Sequence, residues 1–522
     1  MTQLIIIIIY LVALLGLAAF SNRLFRGTTK DYMLASHSIG PFLLVMSLFG
    51  TTMTAFALVG STGKSFTTGV GVYGMLASAS GIVHPLCFFL VGLPLWAHGR
   101  RHGHTTQIEF FRDRLDNKAI GFILFPILVA LVIPYLLVGI NGAGVVISGV
   151  TTGSFGEGQG VPKWLASLVI CLVVLTYVFL GGMRGTAWAN AFQTLVFIIL
   201  GVVTFLAIAN NLGKKDSLYD NLKAATTAVM TPDESASPDV KLKQLERGAD
   251  RISRRKLPWT VYFSFLFIPL SVAMFPHVFQ HWLTAKSAGS FRAPIVLHPL
   301  LIMIVWVPCV LVGVWATAPS SGIPADTKLN DVLPMMVANL NQPVLTGLLS
   351  AGILAAIMSS LDSQFLCVGT MFTKDVVLQV KDESSLSQSQ QVTIARCFVV
   401  FVVALTYTLN LIAPRNVFAM SIWCFSGFTA LFPLVIAALY WRRLTAIGAI
   451  SSVVAMSAAW IWMFVQSDYA GKPFSFPAKA WEWPVPSFMP VVSLTVLSTV
   501  VMVVVSLVTR PPNEETIKRY FS

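Results

Sequence analysis

The stretch AGILAAIMSSLDSQFLCVGTMFTKDV, residues 351–376, places hydroxyl and carboxylate side chains inside an apolar run long enough for a membrane-spanning helix. At about 100° per residue, one helical face carries a small residue and three hydroxyls: Ala356, Ser359, Ser360 and Ser363. Asp362 lies roughly 60° beyond Ser359 on the same helix. Serines alone could bond to the preceding turn or join helices. A carboxylate at the bilayer centre costs at least ~2.5–3.5 kcal/mol, so Asp362 favours an ion site.

The chemistry of this cluster is that of hard oxygen ligands. Hydroxyl and carboxylate oxygens suit Na⁺, Ca²⁺ or a proton and not a soft metal. The cysteines lie within apolar runs and show no CxxC spacing, which argues against a zinc site or a disulfide framework. No nucleophile–base pairing or metal motif is visible, so we expect that the protein is not an enzyme.

The whole chain is strongly apolar. Of its 522 residues 56% are hydrophobic and 11% charged, and the mean hydropathy is +0.76. This composition excludes a soluble enzyme, a disordered chain and a collagen-like repeat. The net charge of +13 could indicate nucleic acid, but the basic residues concentrate in alternate short loops such as 99–118, as in the cytoplasmic loops of membrane proteins. We therefore expect no nucleic-acid partner.

These features predict an all-α polytopic membrane protein. Runs of roughly 20 apolar residues give about thirteen transmembrane helices, at about 3–21, 38–61, 70–97, 119–150, 162–181, 186–210, 258–283, 293–317, 342–371, 393–413, 416–440, 444–466 and 486–509. The N-terminal run lacks a preceding basic residue and is interpreted as a retained helix, not a signal peptide. The distribution of Lys and Arg places the N-terminus outside and the C-terminus in the cytoplasm.

The predicted organisation is a single membrane transporter domain over residues 1–509. The only sizeable polar segment, 211–257, is expected to be an extracytoplasmic loop with a turn and a short amphipathic helix. It could be a lid over a vestibule or a solvated connector. Residues 510–522 would form a cytoplasmic tail.

Two of the spans carry helix-breaking residues. The second contains SLFGTTMTAFALVGSTGKSFTTGVG (47–71) and the seventh contains FIPLSVAMFPHVFQHW (267–282). Irregular backbone at membrane depth persists only where it is buried in protein or lines a cavity. Interrupted helices in matching positions of two halves indicate the binding site of a transporter, and these two spans are five apart, as inverted five-helix repeats require. Alternatively, Gly and Pro are simply common in membrane helices.

Four segments occur in the order of, and resemble, motifs of the sodium:solute symporter family. They are TTKDYMLASHSIGPF (28–42), GGMRGTAWANAFQTLVFI (181–198), HVFQHWLTAKS (277–287) and AAIMSSLDSQF (355–365). The resemblance covers about residues 1–440. It implies a LeuT-type fold with one extra N-terminal helix, core repeats at about 38–210 and 258–440, and two extra C-terminal helices.

The resemblance also implies a Na⁺ site between the broken first core helix and the eighth. Its ligands would be the main-chain oxygens of Gly50, Met53 and Ala356 and the hydroxyls of Ser359 and Ser360. Five neutral oxygens suit a monovalent hard cation.

At the position of a second ion site, this chain departs from the family motif. Members with a second Na⁺ commonly have Asp where this chain has Asn190, whereas this chain has Asp362 where some members have Ser. Either a cation or proton site is retained by Asp362, Ser363 and Asn190, or that site is lost and Asp362 only tunes the first.

The solute is the remaining question. Sugar-carrying relatives place acidic and amide side chains where this chain has Phe56 and Ala57, and helix N-termini at a break can hold an anionic group. We therefore expect a small carboxylate or amino acid in preference to a sugar. The residues expected to line its pocket are Thr52, Phe56, Ala57, Asn141, Phe275, His277, Trp423 and Ser426. For His84, His277 and His298 we expect a packing role in preference to a ligand role.

The function that this resemblance implies is Na⁺-coupled import of a small organic solute by alternating access. Na⁺ is the expected coupling ion, and the expected partners are the solute and the lipid bilayer of a bacterial inner or plasma membrane, with the protein acting as a monomer. The alternative is a membrane sensor of the same fold, an input module that acts with a separate signalling partner.

Overall fold

The computed structural model describes residues 1–22, 28–155, 158–253, 257–381, 385–412, 416–476 and 487–521. Within these ranges the secondary structure is helical, and the β-structure amounts to two isolated bridges, Ile39 with Ala285 and Phe476 with Phe488. The prediction of an all-α polytopic protein is confirmed. Parts of the predicted spans 393–413 and 486–509 and of the segment 211–257 lie outside the described residues.

The helices are numbered α1 to α20 along the described chain. They are α1 Thr2–Asn22, α2 Thr29–Leu34, α3 Pro41–Thr52, α4 Phe56–Thr68, α5 Val72–His102, α6 Gln107–Arg114, α7 Lys118–Val150, α8 Lys163–Gly213, α9 Leu218–Ala228, α10 Pro238–Ile252, α11 Trp259–Ala273, α12 Pro276–Leu283, α13 Ala288–Trp315, α14 Leu329–Ala338, α15 Pro343–Val380, α16 Gln388–Ile412, α17 Val417–Tyr440, α18 Ala446–Gln466, α19 Pro490–Val508 and α20 Glu514–Phe521.

In the described ranges, nine helices are long and apolar enough to cross a bilayer, or eleven if each bent pair counts as one span. The difference from the predicted thirteen has two sources. Helix α8 covers two predicted spans in 51 residues, with non-helical Gly182 (φ 52°, ψ −151°) between them. Helix α1, Thr2–Asn22, is not among the eleven.

Two spans are broken where the sequence predicts it. Helices α3 and α4 meet at an angle of 56° and α11 and α12 at 48°. At the first break Met53 is extended (φ −90°, ψ 110°), and at the second Pro276 opens α12. Proline lacks a backbone N–H and so cannot continue the hydrogen bonding of a preceding helix. It is tolerated in the first turn of a new helix, where that N–H would have no acceptor within the helix. The two breaks leave helix ends and free backbone groups inside the bundle.

Helix α15 lies at the centre of the bundle. Its side chains from Leu349 to Met371 are all buried, and it packs against α8, α7, α1 and α3. A helix without an exposed face is a core helix of a large assembly. The polar segment of α15 is therefore enclosed by protein and not by lipid.

The segment 211–257 contains two helices, α9 and α10, where the sequence predicts a turn and one helix. It is attached to the C-terminal end of α4: Arg251 Nε donates to the Phe66 carbonyl (2.8 Å), and Val70 N donates to the Arg251 carbonyl (2.8 Å). The Arg247 guanidinium also lies 4.9 Å from the centroid of the Phe66 ring. The segment is thus packed against α4 and is not merely a solvated connector.

At the opposite end of the bundle, the C-terminal helix α20 docks on the 103–114 segment. Tyr520 Oη donates to Asp113 Oδ2 (2.6 Å), and Arg519 pairs with the same carboxylate. His104 Nε2 also lies 3.0 Å from Asp113 Oδ2. Burial, with Arg519 and Arg112 nearby, lowers the pKa of His104 to about 4.

Candidate functional site

Three residues of the predicted Na⁺ site, Gly50, Ala356 and Ser359, lie together where α3 ends against α15. Ser359 Oγ donates to the carbonyls of Gly50 (2.8 Å) and Ala356 (2.9 Å), so these three oxygens converge on one point. Met53 lies in the extended link after α3, and its side chain is fully buried. Ser360 Oγ donates back to the Ile357 carbonyl (2.9 Å) of its own helix. This set of buried neutral oxygens fits a monovalent hard cation.

Gly50 is required for this approach of helices. A Cβ at position 50 would lie 2.5 Å from Thr194 Oγ1 and 3.5 Å from Ser359 Cβ. Thr194 Oγ1 in turn donates to the Met46 carbonyl (2.9 Å). The absence of a side chain lets α3 contact both α8 and α15, which brings the Gly50 carbonyl within reach of Ser359.

Asp362, Ser363 and Asn190 lie together one turn along α15. Asp362 is fully buried and accepts hydrogen bonds from Ser363 Oγ (3.0 Å) and Tyr177 Oη (3.1 Å). With the Asn190 amide oriented to satisfy its neighbours, its nitrogen donates to Asp362 Oδ2 (2.8 Å) and to the Ser359 carbonyl (3.0 Å). Among the described residues, Ser363, Tyr177 and Asn190 donate to this carboxyl group, and all three are neutral. The Asp362 cluster is therefore a buried carboxyl group that adjoins the neutral oxygen set.

Two residues of this region were missed in the sequence analysis. Tyr177 comes from the first half of α8 and contacts Asp362 across 185 positions of sequence. His281, on α12, links two core helices: its Nδ1 lies 2.8 Å from Ser47 Oγ and its Nε2 3.0 Å from Ser363 Oγ. His281 stands in the quoted segment 277–287, but nothing in a single sequence indicates which hydroxyls it meets.

A small cavity lies at the two helix breaks, with a volume of about 30 Å³. Among the predicted solute residues, it is lined by Thr52, Phe56 and Phe275. Its other lining residues are Met75, Leu76, Ser80, His84, Tyr135, Phe265, Ile268, Pro269, Ser271, Trp306 and Phe425. A water needs at least about 10–15 Å³ measured in this way, so an organic solute requires the walls to move.

The walls are largely aromatic. Phe56 and Tyr135 each pack edge-on against Phe425, at centroid separations of 5.2 and 5.1 Å, and Phe275 lies 5.6 Å from the same ring. Perpendicular aromatic pairs are favourable, so these rings close the cavity in this conformation. Opening it would separate side chains from α4, α7, the α11–α12 break and α17.

The other predicted solute residues lie outside this lining. His277 stacks on Phe275 (5.2 Å between centroids), behind the wall. Trp423 packs against Phe464 of α18 (5.4 Å), and Ser426 Oγ donates to the Ile422 carbonyl of its own helix (2.6 Å). Ala57 is buried in α4, and Asn141 is half-buried on α7.

A bundle with two broken helices, buried oxygen atoms between one of them and a central helix, and a cavity at the two breaks is typical of an ion-coupled secondary transporter. The family model described as the sodium:solute symporter family matches residues 32–455. The chain belongs to the sodium:solute symporter family. It is a multi-pass membrane protein that carries a small solute with Na⁺ as the coupling ion.

Among similar proteins, the sodium/proline symporter of Staphylococcus aureus is 26% identical over 470 residues, covering 86% of this chain and 83% of the relative. The sodium/pantothenate symporter of Haemophilus influenzae is 23% identical over 453 residues, covering 86% and 87%.

Two solved structures share the fold. A substrate-bound, outward-open Na⁺-coupled sialic acid symporter aligns with a TM-score of 0.74 at 18% identity, covering 98% of this chain and 99% of the other. A nucleobase-cation-symport-1 family transporter in a closed conformation aligns at 0.56 with 12% identity, covering 94% and 97%. The predicted LeuT-type architecture is thus confirmed at the level of the fold.

Proposed function

We propose that the protein imports a small carboxylate or amino acid together with Na⁺ by alternating access. The observation that carries the proposal is the convergence of the Gly50, Ala356 and Ser359 oxygens between the broken span and α15. An ion bound there would contact both the broken span α3–α4 and the central helix α15. Its occupancy can therefore control the position of α3 beside the cavity.

The proposed ligands of Na⁺ are the carbonyls of Gly50, Met53 and Ala356 and the hydroxyls of Ser359 and Ser360. The Ser359 hydroxyl lies within hydrogen-bonding distance of both the Gly50 carbonyl (2.8 Å) and the Ala356 carbonyl (2.9 Å). For the ion to bind, this hydroxyl has to rotate so that its lone pairs point to the ion. Ser360 must also release the Ile357 carbonyl. Both changes are side-chain rotations, which leave the helix backbone in place.

We propose a second cation or proton site at Asp362, Ser363 and Asn190. Its support is the buried carboxylate surrounded by neutral donors, because an uncompensated charge of this kind is expensive. The alternative remains that Asp362 acts through Asn190, which bridges to the Ser359 carbonyl, and only tunes the first site.

The proposed solute class rests on the cavity. Polyols are recognised through many polar contacts, whereas Phe56 and Ala57 occupy the break of the first core helix. The start of α12 at Pro276 presents unpaired backbone N–H groups near Phe275, and such helix ends favour an anionic group. The two relatives named for proline and pantothenate carry solutes that contain a carboxylate, which agrees with this class.

The remaining parts of the proposal concern arrangement in the cell. We propose one membrane domain over residues 1–509, with 211–257 outside and 510–522 in the cytoplasm, and with the N-terminus outside. The protein would act as a monomer in a bacterial inner or plasma membrane, without enzymatic activity and without a nucleic-acid partner. Single cysteines introduced at Ser237 and Thr105 should then react with an impermeant reagent from opposite sides. Reaction from one side would refute this orientation.

The function is tested with purified protein in detergent and in proteoliposomes. A thermal-shift screen of amino acids, carboxylates and sugars, with Na⁺ or with choline, identifies solutes whose stabilisation requires Na⁺. We expect hits among the carboxylates and amino acids, and the same compounds should accumulate in vesicles under an inward Na⁺ gradient. A ligand that binds with Na⁺ but never accumulates would favour the sensor alternative. Hits confined to sugars would refute the solute class.

A further inference from the structure

A buried histidine pair borders the solute cavity. His84 on α5 lines the cavity beside Thr52, and its Nδ1 lies 3.0 Å from Nε2 of His298 on α13. The His298 ring is fully buried and packs edge-on against Phe49 and Phe88, at centroid distances of 5.3 and 4.9 Å. The pair therefore joins an enclosed apolar pocket on one side to the cavity on the other.

The surroundings of His298 decide which ring donates. Nδ1 of His298 is buried and has no hydrogen-bond partner among the residues that the structure describes. If His84 donated, neutral His298 would carry its proton on Nδ1, as a buried donor with no acceptor. If His298 donates through Nε2–H, its Nδ1 is only an unpaired acceptor. Orphaned buried N–H groups are rarer than orphaned acceptors, so the second arrangement is favoured.

The tautomer of His84 follows from this choice. Because its Nδ1 accepts from His298, neutral His84 carries its proton on Nε2. Nε2 is the ring nitrogen away from the pair, on a side chain that lines the cavity. The lining therefore includes an N–H donor of defined tautomer, whereas the hydroxyl of Thr52, in the same lining, is already engaged with the carbonyls of Leu48 (2.9 Å) and Phe49 (3.0 Å).

The rest of the lining makes this donor important. The described residues around the cavity include no Asp, Glu, Lys or Arg. A second N–H donor, Trp306 Nε1, is buried in the same lining without a partner in the described parts of the chain. A carboxylate in this cavity would meet neutral donors and no basic side chain. Hydrogen bonds between a neutral donor and an ionised acceptor are among the stronger ones in proteins.

We propose that His84 is a specificity-determining residue whose Nε2–H donates to an acceptor oxygen of the solute, and that His298 is a positioning residue that holds His84 in this tautomer. The inference rests on the proposed function, because it assigns the group that recognises the carboxylate of the solute. It gives both histidines a role where the sequence analysis expected packing alone.

The first experiment requires no solute. In protein labelled with ¹⁵N-histidine, the tautomer of each ring is read from its nitrogen chemical shifts, and His84 is assigned by the loss of its signals in His84→Gln. We expect His84 with a protonated Nε2 and an unprotonated Nδ1. In His298→Phe this preference should weaken, whereas His298→Gln retains a donor amide and should preserve it. A His84 protonated on Nδ1 in the unmodified protein would overturn the proposal.

The second experiment tests recognition with defined probes. L-proline, pantothenate, N-acetylneuraminate and acetate are titrated in Na⁺, each beside its carboxamide, which replaces an ionised acceptor with a neutral one. The His84 Nε2 signal should shift with carboxylates that stabilise the protein. His84→Phe should weaken their binding at least ~10-fold, His298→Phe should weaken it less, and His298→Gln should stay near the parental value. Binding of the carboxamides should change little in any variant.

These outcomes separate the inference from the proposed function. Stabilising carboxylates that leave the His84 signal unmoved, or that bind His84→Phe as well as the parent, would overturn the role of His84 while leaving Na⁺-coupled transport intact. Loss of Na⁺-dependent stabilisation in the parental protein would instead refute the proposed function. If His84→Phe does not fold, His298→Phe and His298→Gln still decide the matter, since the first weakens the tautomer preference of His84, the second preserves it, and neither changes a residue of the cavity lining.

Discussion

Replacing Ser359 with alanine is expected to weaken Na⁺ binding without disrupting the fold. Ser359 Oγ lies 2.8 Å from the Gly50 carbonyl and 2.9 Å from the Ala356 carbonyl. Loss of a neutral oxygen that contacts a charge costs about 1.5–3 kcal/mol, and the ion-free state also loses a neutral hydrogen bond worth about 1 kcal/mol. The difference of roughly 0.5–2 kcal/mol corresponds to an approximately 2- to 30-fold rise in the Na⁺ concentration for half-saturation.

The assay for this variant is Na⁺-dependent thermal stabilisation in detergent without solute, so that only the ion site is measured. Ser350→Ala is the matched control, because Ser350 is a fully buried serine of the same helix whose hydroxyl donates to the Thr346 carbonyl (2.6 Å). The control should keep the parental Na⁺ dependence. If Ser359→Ala also keeps it, or if Ser350→Ala shifts it equally, the proposed ligand set is refuted.

Three further predictions address neighbouring features. Asp362→Asn should lower the Hill coefficient for Na⁺ towards one if the carboxylate binds a second Na⁺, or flatten the pH dependence of uptake if it carries a proton, and no change in either would make Asp362 structural. Gly50→Ala should abolish Na⁺-driven uptake and lower the free energy of unfolding by about 1–3 kcal/mol, because its Cβ would meet Thr194 Oγ1 at 2.5 Å. The control Gly81→Ala has open space at its Cβ and should remain active. Because the pKa of His104 is about 4 in the folded protein against 6.5 in the unfolded chain, acidification from 6.5 to 4 favours unfolding. The resulting loss in the free energy of unfolding is up to about 3 kcal/mol. His104→Gln should remove this pH dependence from thermal melts between pH 6.5 and 4, and an unchanged pH dependence would contradict the assigned burial.

The fold was largely predictable because membrane helices are marked by composition. Length and hydropathy locate the spans, and the glycines of 47–71 and the prolines of 267–282 indicate which two of them break. In α8 the backbone turns at Gly182, between the predicted spans 162–181 and 186–210. Such a turn depends on the close approach of Tyr32, whose side chain lies 2.6 Å from a Cβ built at position 182.

The ion site was predictable in part because its ligands are local motifs on two helices. Tyr177 and His281 were not, since each meets α15 only through packing of distant helices. Trp423 illustrates the limit for the solute pocket. Helix α17 is buried on nearly all sides. Its sequence therefore has no polar face that shows which side chains point to the cavity and which pack against α18, as Trp423 does. No sequence pattern distinguishes His84 from a packing residue, because the role proposed for it depends on its hydrogen bond with His298.

The most direct test of Na⁺-coupled transport measures ion movement driven by the solute. Proteoliposomes are equilibrated with equal Na⁺ on both sides, a solute identified by the thermal-shift screen is added outside, and entry of radioactive Na⁺ is followed. We expect the solute gradient to drive net Na⁺ entry, to the same degree in Ser350→Ala and much less in Ser359→Ala at limiting Na⁺. Solute entry without Na⁺ movement, or Na⁺ movement that ignores the solute gradient, would contradict coupling through the oxygen cluster of α3 and α15.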